Sequence, residues 1–255
     1  MRRVAPKFIL PVLIGLSIHA ESRVGRAGIV FEADRPTFLS QTTALQTQTF
    51  AGANIQPNGL AVESSSLNSS TNDQVFRAGT ILPGISFSTS NAGIGRDLEL
   101  TGAGPGSPSG GGGPGGFANN VLHPAFYFSP LQITFSSAQT AVGLGLLTAF
   151  ADGPTGLETV SVYSTGGGLL GSITTEAANF GSGSFLGILA TGGDSIGLVT
   201  VAATSASFTN FYEPGVDFVQ FGTAVPEPSS LVLGAIAGLT TLGYARRFRK
   251  STQAN

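Results

Sequence analysis

The stretch from 28 to 224 holds one histidine, His123, in the run Leu122-His123-Pro124. A hydroxyl or thiol nucleophile needs a general base of this kind beside it. One imidazole is too few for a histidine metal site. The sequence therefore predicts a surface or capping role for His123. A second set is carboxylate. Asp97 and Glu99 stand two apart in an alternating segment, so a strand would present both on one face. A glycosidase needs two such groups facing each other across a cleft; Arg96 beside them points instead to ion pairing at the surface. The third set is the turn-flanking aspartates Asp34, Asp73, Asp152, Asp194 and Asp217. Their oxygens, with loop carbonyls, suit calcium, yet they form no Asp-x-Asp-x-Asp run. Acids spaced this way also keep a sparsely charged surface soluble. Calcium is the one metal with any support, and no other cofactor is expected.

Composition narrows the chemistry further. Of 255 residues, 41% are apolar and only 10% are charged, against ~25% charged in an average domain. There is no Cys, which excludes a disulfide scaffold, a thiol nucleophile, an iron–sulfur cluster and a cysteine zinc site. Between 28 and 224 the only basic residues are Arg35, Arg77 and Arg96, against twelve acids. A surface that tracks phosphates needs clustered Lys and Arg, so nucleic acid is excluded as a partner.

These groups must be held by strands. Apolar runs are short and densely punctuated by Gly, Ser and Thr. Gly28 to Ala33 reads as a strand, and Asp34 caps a short helix with Pro36 in its first turn and Phe38 and Leu45 facing inward. Alternation then predicts strands over 81–89, 97–101, 125–128, 131–135 and 141–147. The clearest hairpin is 158–176, turned at Gly166-Gly167-Gly168. A second pair, 184–190 and 196–203, flanks Gly192-Gly193-Asp194, and 216–221 closes the body. Nine or ten short strands with little helix favour an all-β antiparallel sandwich of jelly-roll type. Its core would be rich in phenylalanine, of which the chain has 18. Residues 102–116 hold nine glycines and three prolines, a flexible loop. It lacks the Lys-Ser/Thr of a P-loop.

The two ends read as targeting segments. Residues 1–27 form a signal peptide: Arg2, Arg3 and Lys7, then an uncharged run of 13 residues to Ala20, with cleavage after Ala20 or Ala27. At the other end, 228–245 is 18 residues without a charge. As a helix it rises ~27 Å, enough to cross the hydrocarbon core. Arg246, Arg247, Arg249 and Lys250 follow at once and would stay cytoplasmic, leaving the body outside. Immediately before this span stand Val225, Pro226, Glu227, Pro228, Ser229 and Ser230. Two prolines keep that segment extended and out of any central strand.

Val-Pro-Glu-Pro-Ser-Ser, a short span and a terminal arginine cluster together resemble the PEP-CTERM sorting signal of exported bacterial proteins. The resemblance covers residues 225–250. It implies secretion, a precursor anchored in the inner membrane, and processing near Pro226-Glu227-Pro228 by an exosortase-type protease. It also implies delivery to the surface or extracellular matrix of a Gram-negative-type cell, beside exopolysaccharide. In this role Val225 to Ser229 are substrate positions, not catalytic ones. The hairpin and the closing segment 216–222 are similar to the lectin-like or jelly-roll bodies of many such proteins.

Three functions follow as expectations. The first is a non-enzymatic structural or adhesive protein of the matrix, with one body over 28–224. The second is a carbohydrate-binding module, which lacks Trp and would stack sugars on Tyr127, Tyr163 or Tyr212. The third is an envelope glycan hydrolase using Asp97 and Glu99.

Overall fold

The computed structural model describes residues 28–63, 66–90, 98–104, 117–125, 129–149, 155–178, 183–204 and 213–225. They form thirteen strands and one short helix. In chain order these are β1 (Gly28–Glu32), α1 (Arg35–Ser40), β2 (Thr42–Thr49), β3 (Leu60–Glu63), β4 (Ile85–Thr89), β5 (Leu98–Thr101), β6 (Val121–Pro124), β7 (Leu131–Gln139), β8 (Ala141–Ala149), β9 (Thr155–Ser164), β10 (Leu169–Ala178), β11 (Ser184–Thr191), β12 (Ile196–Ala203) and β13 (Glu213–Ala224). All belong to one compact unit, Gly25–Glu227.

The ladders fall into two antiparallel groups. In the first, β13 lies between β8 on one side and β2 and β6 on the other. β6 continues through β5 to β3, and β8 continues through β11 to β1. The second runs β10-β9-β12-β7-β4. A single parallel bridge, Ala178 to Leu147, joins the groups and makes the whole network one mixed sheet. This almost entirely β arrangement is consistent with a β-sandwich. Both groups feed one core: Val142, Leu144, Leu146, Val216 and Val219 from the first, and Ile133, Val160, Val162, Val199 and Val201 from the second. Phenylalanines fill it, with Phe50 edge-on to Phe87 at 5.4 Å and Phe135 against Phe221 at 5.7 Å.

Local chemistry explains the elements that were legible. Asp34 caps α1, its carboxylate accepting from the Thr37 N–H at 2.9 Å and the Thr37 hydroxyl at 2.6 Å. Pro36 occupies the first turn and Phe38 is the buried residue. The helix ends sooner than expected. The β-branched pair Thr42-Thr43 opens β2, and Leu45 packs near Phe38 from that strand. The β9–β10 hairpin pairs as predicted, from Tyr163 opposite Leu169 to Thr155 opposite Ala178, with Gly167 at φ 83° in the turn.

The second expected pair is corrected. β11 and β12 both form, but not against each other. β11 pairs β8 and β1, while β12 lies between β9 and β7. The Gly192-Gly193 turn, at φ 67° and 92°, carries the chain from one group to the other. Alternation identifies a strand and not its partner, so the nearest neighbour was the default. β2, β3 and β6 were not anticipated. The strand expected over 125–128 lies mostly outside the described residues, and β6 ends just before it.

One face of β8 is opened by glycine. Phe38, Phe185 and Phe218 crowd beside Gly143 and Gly145, and the Arg35 guanidinium lies 4.9 Å from the Phe218 ring centroid. A Cβ at Gly145 would overlap Asp217 Oδ1 and the Phe218 ring. Gly145→Ala is therefore expected to cost about 1–3 kcal/mol by overpacking. Gly166→Ala, in the open β9–β10 turn, is expected to be near neutral. Chemical denaturation of the two variants checks both values.

Candidate functional site

The chemistry-bearing residues that the fold brings together lie on β5, β6 and the start of β13. Glu99 and His123 are direct cross-strand partners, as are Thr101 and Val121. Leu98, Leu100 and Leu122 point into the main core. Alternation therefore turns Glu99, Thr101, Val121 and His123 to the other face. There Val121 joins Phe117 and Leu147 in a separate small apolar cluster. Glu213 reaches the same place from β13. Among the described residues, Glu99, His123 and Glu213 are the one trio whose ligand-type atoms all lie within 4.8 Å of one another, and all three are buried.

Hydrogen bonding orients the ring. His123 Nδ1 lies 3.1 Å from the Pro124 carbonyl oxygen. A carbonyl only accepts, so Nδ1 carries a proton. Nε2 lies 2.9 Å from Thr101 Oγ1. Glu213 Oε2 stands 2.8 Å from Nδ1. Burial by itself would lower the His123 pKa; Glu213 and Glu99 more than offset it and leave it raised. The ring lies against two buried carboxylates that favour its protonated form.

Could this trio hold a metal? Carboxylate and imidazole ligands bind zinc at ~2.1 Å, which sets two tetrahedral ligand atoms ~3.4 Å apart. The 2.8 Å separation of Nδ1 and Oε2 is a proton-bridging distance, and Nδ1 is committed to Pro124. As they stand, Nδ1 and Oε2 are closer together than two ligands of one zinc ion.

Thr101–His123–Glu213 also has the connectivity of a nucleophile, base and orienting acid. It is closed to that use. Thr101 and His123 are 0% exposed and Glu213 is 3% exposed. The neighbouring backbone donors that could stabilise an oxyanion are already engaged. Gly102 N–H donates to Gly59 O, Ala103 N–H to Asn120 Oδ1, and Gly104 N–H to Phe117 O. The chain also spells Gly193-Asp194-Ser195-Ile196-Gly197. That pattern makes a nucleophile elbow on a strand–turn–helix; here it is the turn between two strands, β11 and β12.

Several expectations change. His123 is wholly buried, not a surface or capping residue, because its strand turns it under the Phe117 cluster. Glu99 is 7% exposed and faces His123 in place of a surface ion pair; Arg96 and Asp97 lie outside the described residues. The aspartates proposed for calcium are spread over separate elements. Asp34 caps α1. Asp73 accepts from the Val75 and Phe76 N–H groups at 2.7 Å each. Asp194 sits in the β11–β12 turn, and Asp217 accepts from Asn119 Nδ2 at 3.0 Å. Asp152 lies outside the described residues, as do Tyr127, Tyr212, the signal peptide and most of the loop 102–116. So do Pro226, Glu227, Pro228, Ser229, the span 228–245, Arg246, Arg247, Arg249 and Lys250. Among the described residues no helix is long and apolar enough to cross a membrane. Val225 is half-exposed, its N–H donating to Gln41 O at 2.8 Å. Thr101 and Glu213 were missed. Period-two spacing places Thr101 beside Glu99 in the sequence, but nothing local marks Glu213.

Four groups bind protons more tightly in the folded chain. Burial, then Asp73, raises Glu63 to about 7. Burial pushes Glu158 well up, relieved only in part by the Gly215 N–H. Burial raises Asp217 against its hydrogen bond from Asn119, and His123 is raised as described. A raised folded pKa means that the native state holds the proton longer, so stability falls as pH rises past the unfolded values. Those values are 3.8 for Asp217, 4.5 for Glu63 and Glu158, and 6.5 for His123. Thermal unfolding is expected at progressively lower temperature from pH 5 to pH 9. Glu158→Gln should flatten that decline and leave the behaviour near pH 4 unchanged. His123→Ala leaves two buried carboxylates without their imidazole partner and should cost about 3–5 kcal/mol. Melting curves across this pH range test all three outcomes.

No family model matches the chain, and no curated protein matches it. Among solved structures it is similar to the K1 cleaved adhesin domain of Lys-gingipain (Kgp) from Porphyromonas gingivalis W83. That likeness has a TM-score of 0.29 at 12% identity, over 71% of this chain and 99% of that chain. At such a score it carries no argument about fold or function.

Proposed function

We propose that this is an exported, exosortase-sorted protein of the cell surface or extracellular matrix, with a non-enzymatic structural or adhesive role beside exopolysaccharide. The observation that carries the reading is the order of three signals at one end: Val225-Pro226-Glu227-Pro228-Ser229, an uncharged stretch over 228–245, and Arg246, Arg247, Arg249 and Lys250. Secretion machinery delivers the chain, the 228–245 helix anchors the precursor, and the protease processes it near Pro226. The finer topology in this reading is a jelly-roll body followed by a single span.

The engaged donors around Thr101 and the ion-paired His123 support a body without hydrolytic activity. A carbohydrate-binding role is the second reading. It is favoured by Tyr163, a half-buried ring on the outer face of β9, with Leu198 of β12 as its direct partner.

The test is expression of the full chain in a bacterium that has an exosortase-type protease, followed by fractionation. The wild-type chain is expected in the surface or medium fraction, shortened at its C-terminal end. A Pro226→Ala/Pro228→Ala variant should accumulate at full length in the inner membrane. A full-length wild-type chain in the cytoplasm, with residues 1–27 intact, overturns the proposal.

A further inference from the structure

We infer that the outer face of the β4-β7-β12-β9-β10 group is a docking face for an extended, uncharged polysaccharide chain. This rests on the matrix role proposed above and names the surface and ligand class that serve it. On these strands Ile133, Val160, Val162, Val199 and Val201 point into the core, so their neighbours point outward. The ladder registers place those neighbours in rows. Ser88, Gln132, Thr200, Ser161 and Ser172 run across all five strands, each the direct partner of the next. Beside them run Ser86, Thr134, Leu198 and Tyr163. On the other side lie Ala202, Thr159 and Thr174. All of these side chains are half-buried or exposed.

Three properties point to a neutral glycan. The first is charge. These five strands carry only two ionisable acids, Glu158, which is buried, and Glu176, on the outer strand β10. The one charge on this face is Glu176 at its margin, so an anionic ligand, nucleic acid included, finds no cation there. The second is order. Ser161 Oγ lies 3.1 Å from Ser172 Oγ, Thr159 Oγ1 lies 3.0 Å from both Thr174 Oγ1 and Thr204 Oγ1, and Ser88 Oγ donates to Gln132 Oε1 at 3.3 Å. The hydroxyls are held in place before any ligand arrives, so less rotamer freedom is lost on binding. Each also keeps lone pairs for further hydrogen bonds. The third is repeat. Strands spaced ~4.8 Å apart, with same-face residues ~6.8 Å apart along each strand, offer donors and acceptors at regular intervals, as a sugar polymer does. Tyr163 with its direct partners Leu198 and Leu169 supplies one apolar patch for the C–H face of a ring. A protein partner would require a broader apolar centre than this row of three and the separate Leu157 beside Glu176 at the margin.

The experiment is affinity electrophoresis of the purified full chain. The gels contain hydroxyethylcellulose, galactomannan or dextran as neutral probes, and alginate as the anionic one. At least one neutral polysaccharide is expected to retard the wild-type chain, and alginate is not. Thr200→Lys/Ser161→Lys places two charges at the centre of the face and should weaken retardation about tenfold or more. Thr200→Ser should preserve it, and Gln74→Lys, on an exposed turn elsewhere, should leave it unchanged. Tyr163→Ala gives a second, milder loss should the double variant melt early. Three results overturn the inference: no retardation by any neutral polymer, unchanged retardation of both the lysine double variant and Tyr163→Ala, or equal retardation by alginate. Loss of binding with correct sorting leaves the matrix role standing; a cytoplasmic full-length chain removes that role whatever the gels show.

Discussion

The first strand group meets at β13. Its twelve residues pair with β8 along one edge and with β2 and β6 along the other. Through β6 it also holds β5 and β3, and through β8 it holds β11 and β1. Its inward side chains, Val216 and Val219, touch the core that the second group completes. Three ladders of this half therefore depend on a segment near the far end of the body. Pairings of such sequence separation must offset large loop-closure entropy before they gain burial.

The same strand brings in most of the buried polarity. Glu213 opens it beside His123, Asp217 sits at its register shift beside Gly145, and the Gly215 N–H faces Glu158. Burying these groups costs desolvation that well-packed apolar residues would avoid. The groups answer this differently. His123 is paired with carboxylates, Asp217 is hydrogen-bonded to Asn119, and burial pushes Glu158 toward its neutral form. The common consequence is a native state in which His123, Asp217 and Glu158, like Glu63, hold their protons to higher pH.

The two outer faces divide the remaining work. On the first group, α1, the Phe38–Phe185–Phe218 set and the Phe117 cluster cover the sheet, and Gly143 and Gly145 give those rings room. On the second group, the outward positions are hydroxyls, an amide and few apolar groups, with one charge at the margin. A covered face stabilises the body, and an open uncharged face is available for contact. The proposed docking role rests on that open, regular polar surface.

Much was legible in the residues alone. Strand alternation, the Asp34–Pro36 helix start and the glycine turn at 166–168 are local signals, because backbone geometry and side-chain periodicity are properties of neighbours in sequence. The charge deficit and the exclusion of cysteine chemistry needed only composition. The Val225–Ser229 motif with the stretch to Lys250 is likewise readable as an ordered string, which is why the proposed sorting rests there. Partnership was not legible. Period-two patterning shows that Ser184 to Ala190 is a strand, but not that it joins β8 in preference to β12. Nothing around His123 reveals that a glutamate ninety residues later will meet its ring. Nothing in Ser161 shows that Thr200 and Ser172 flank it. Those outcomes depend on register between distant strands, and register is decided by which faces can be buried together once the whole core assembles.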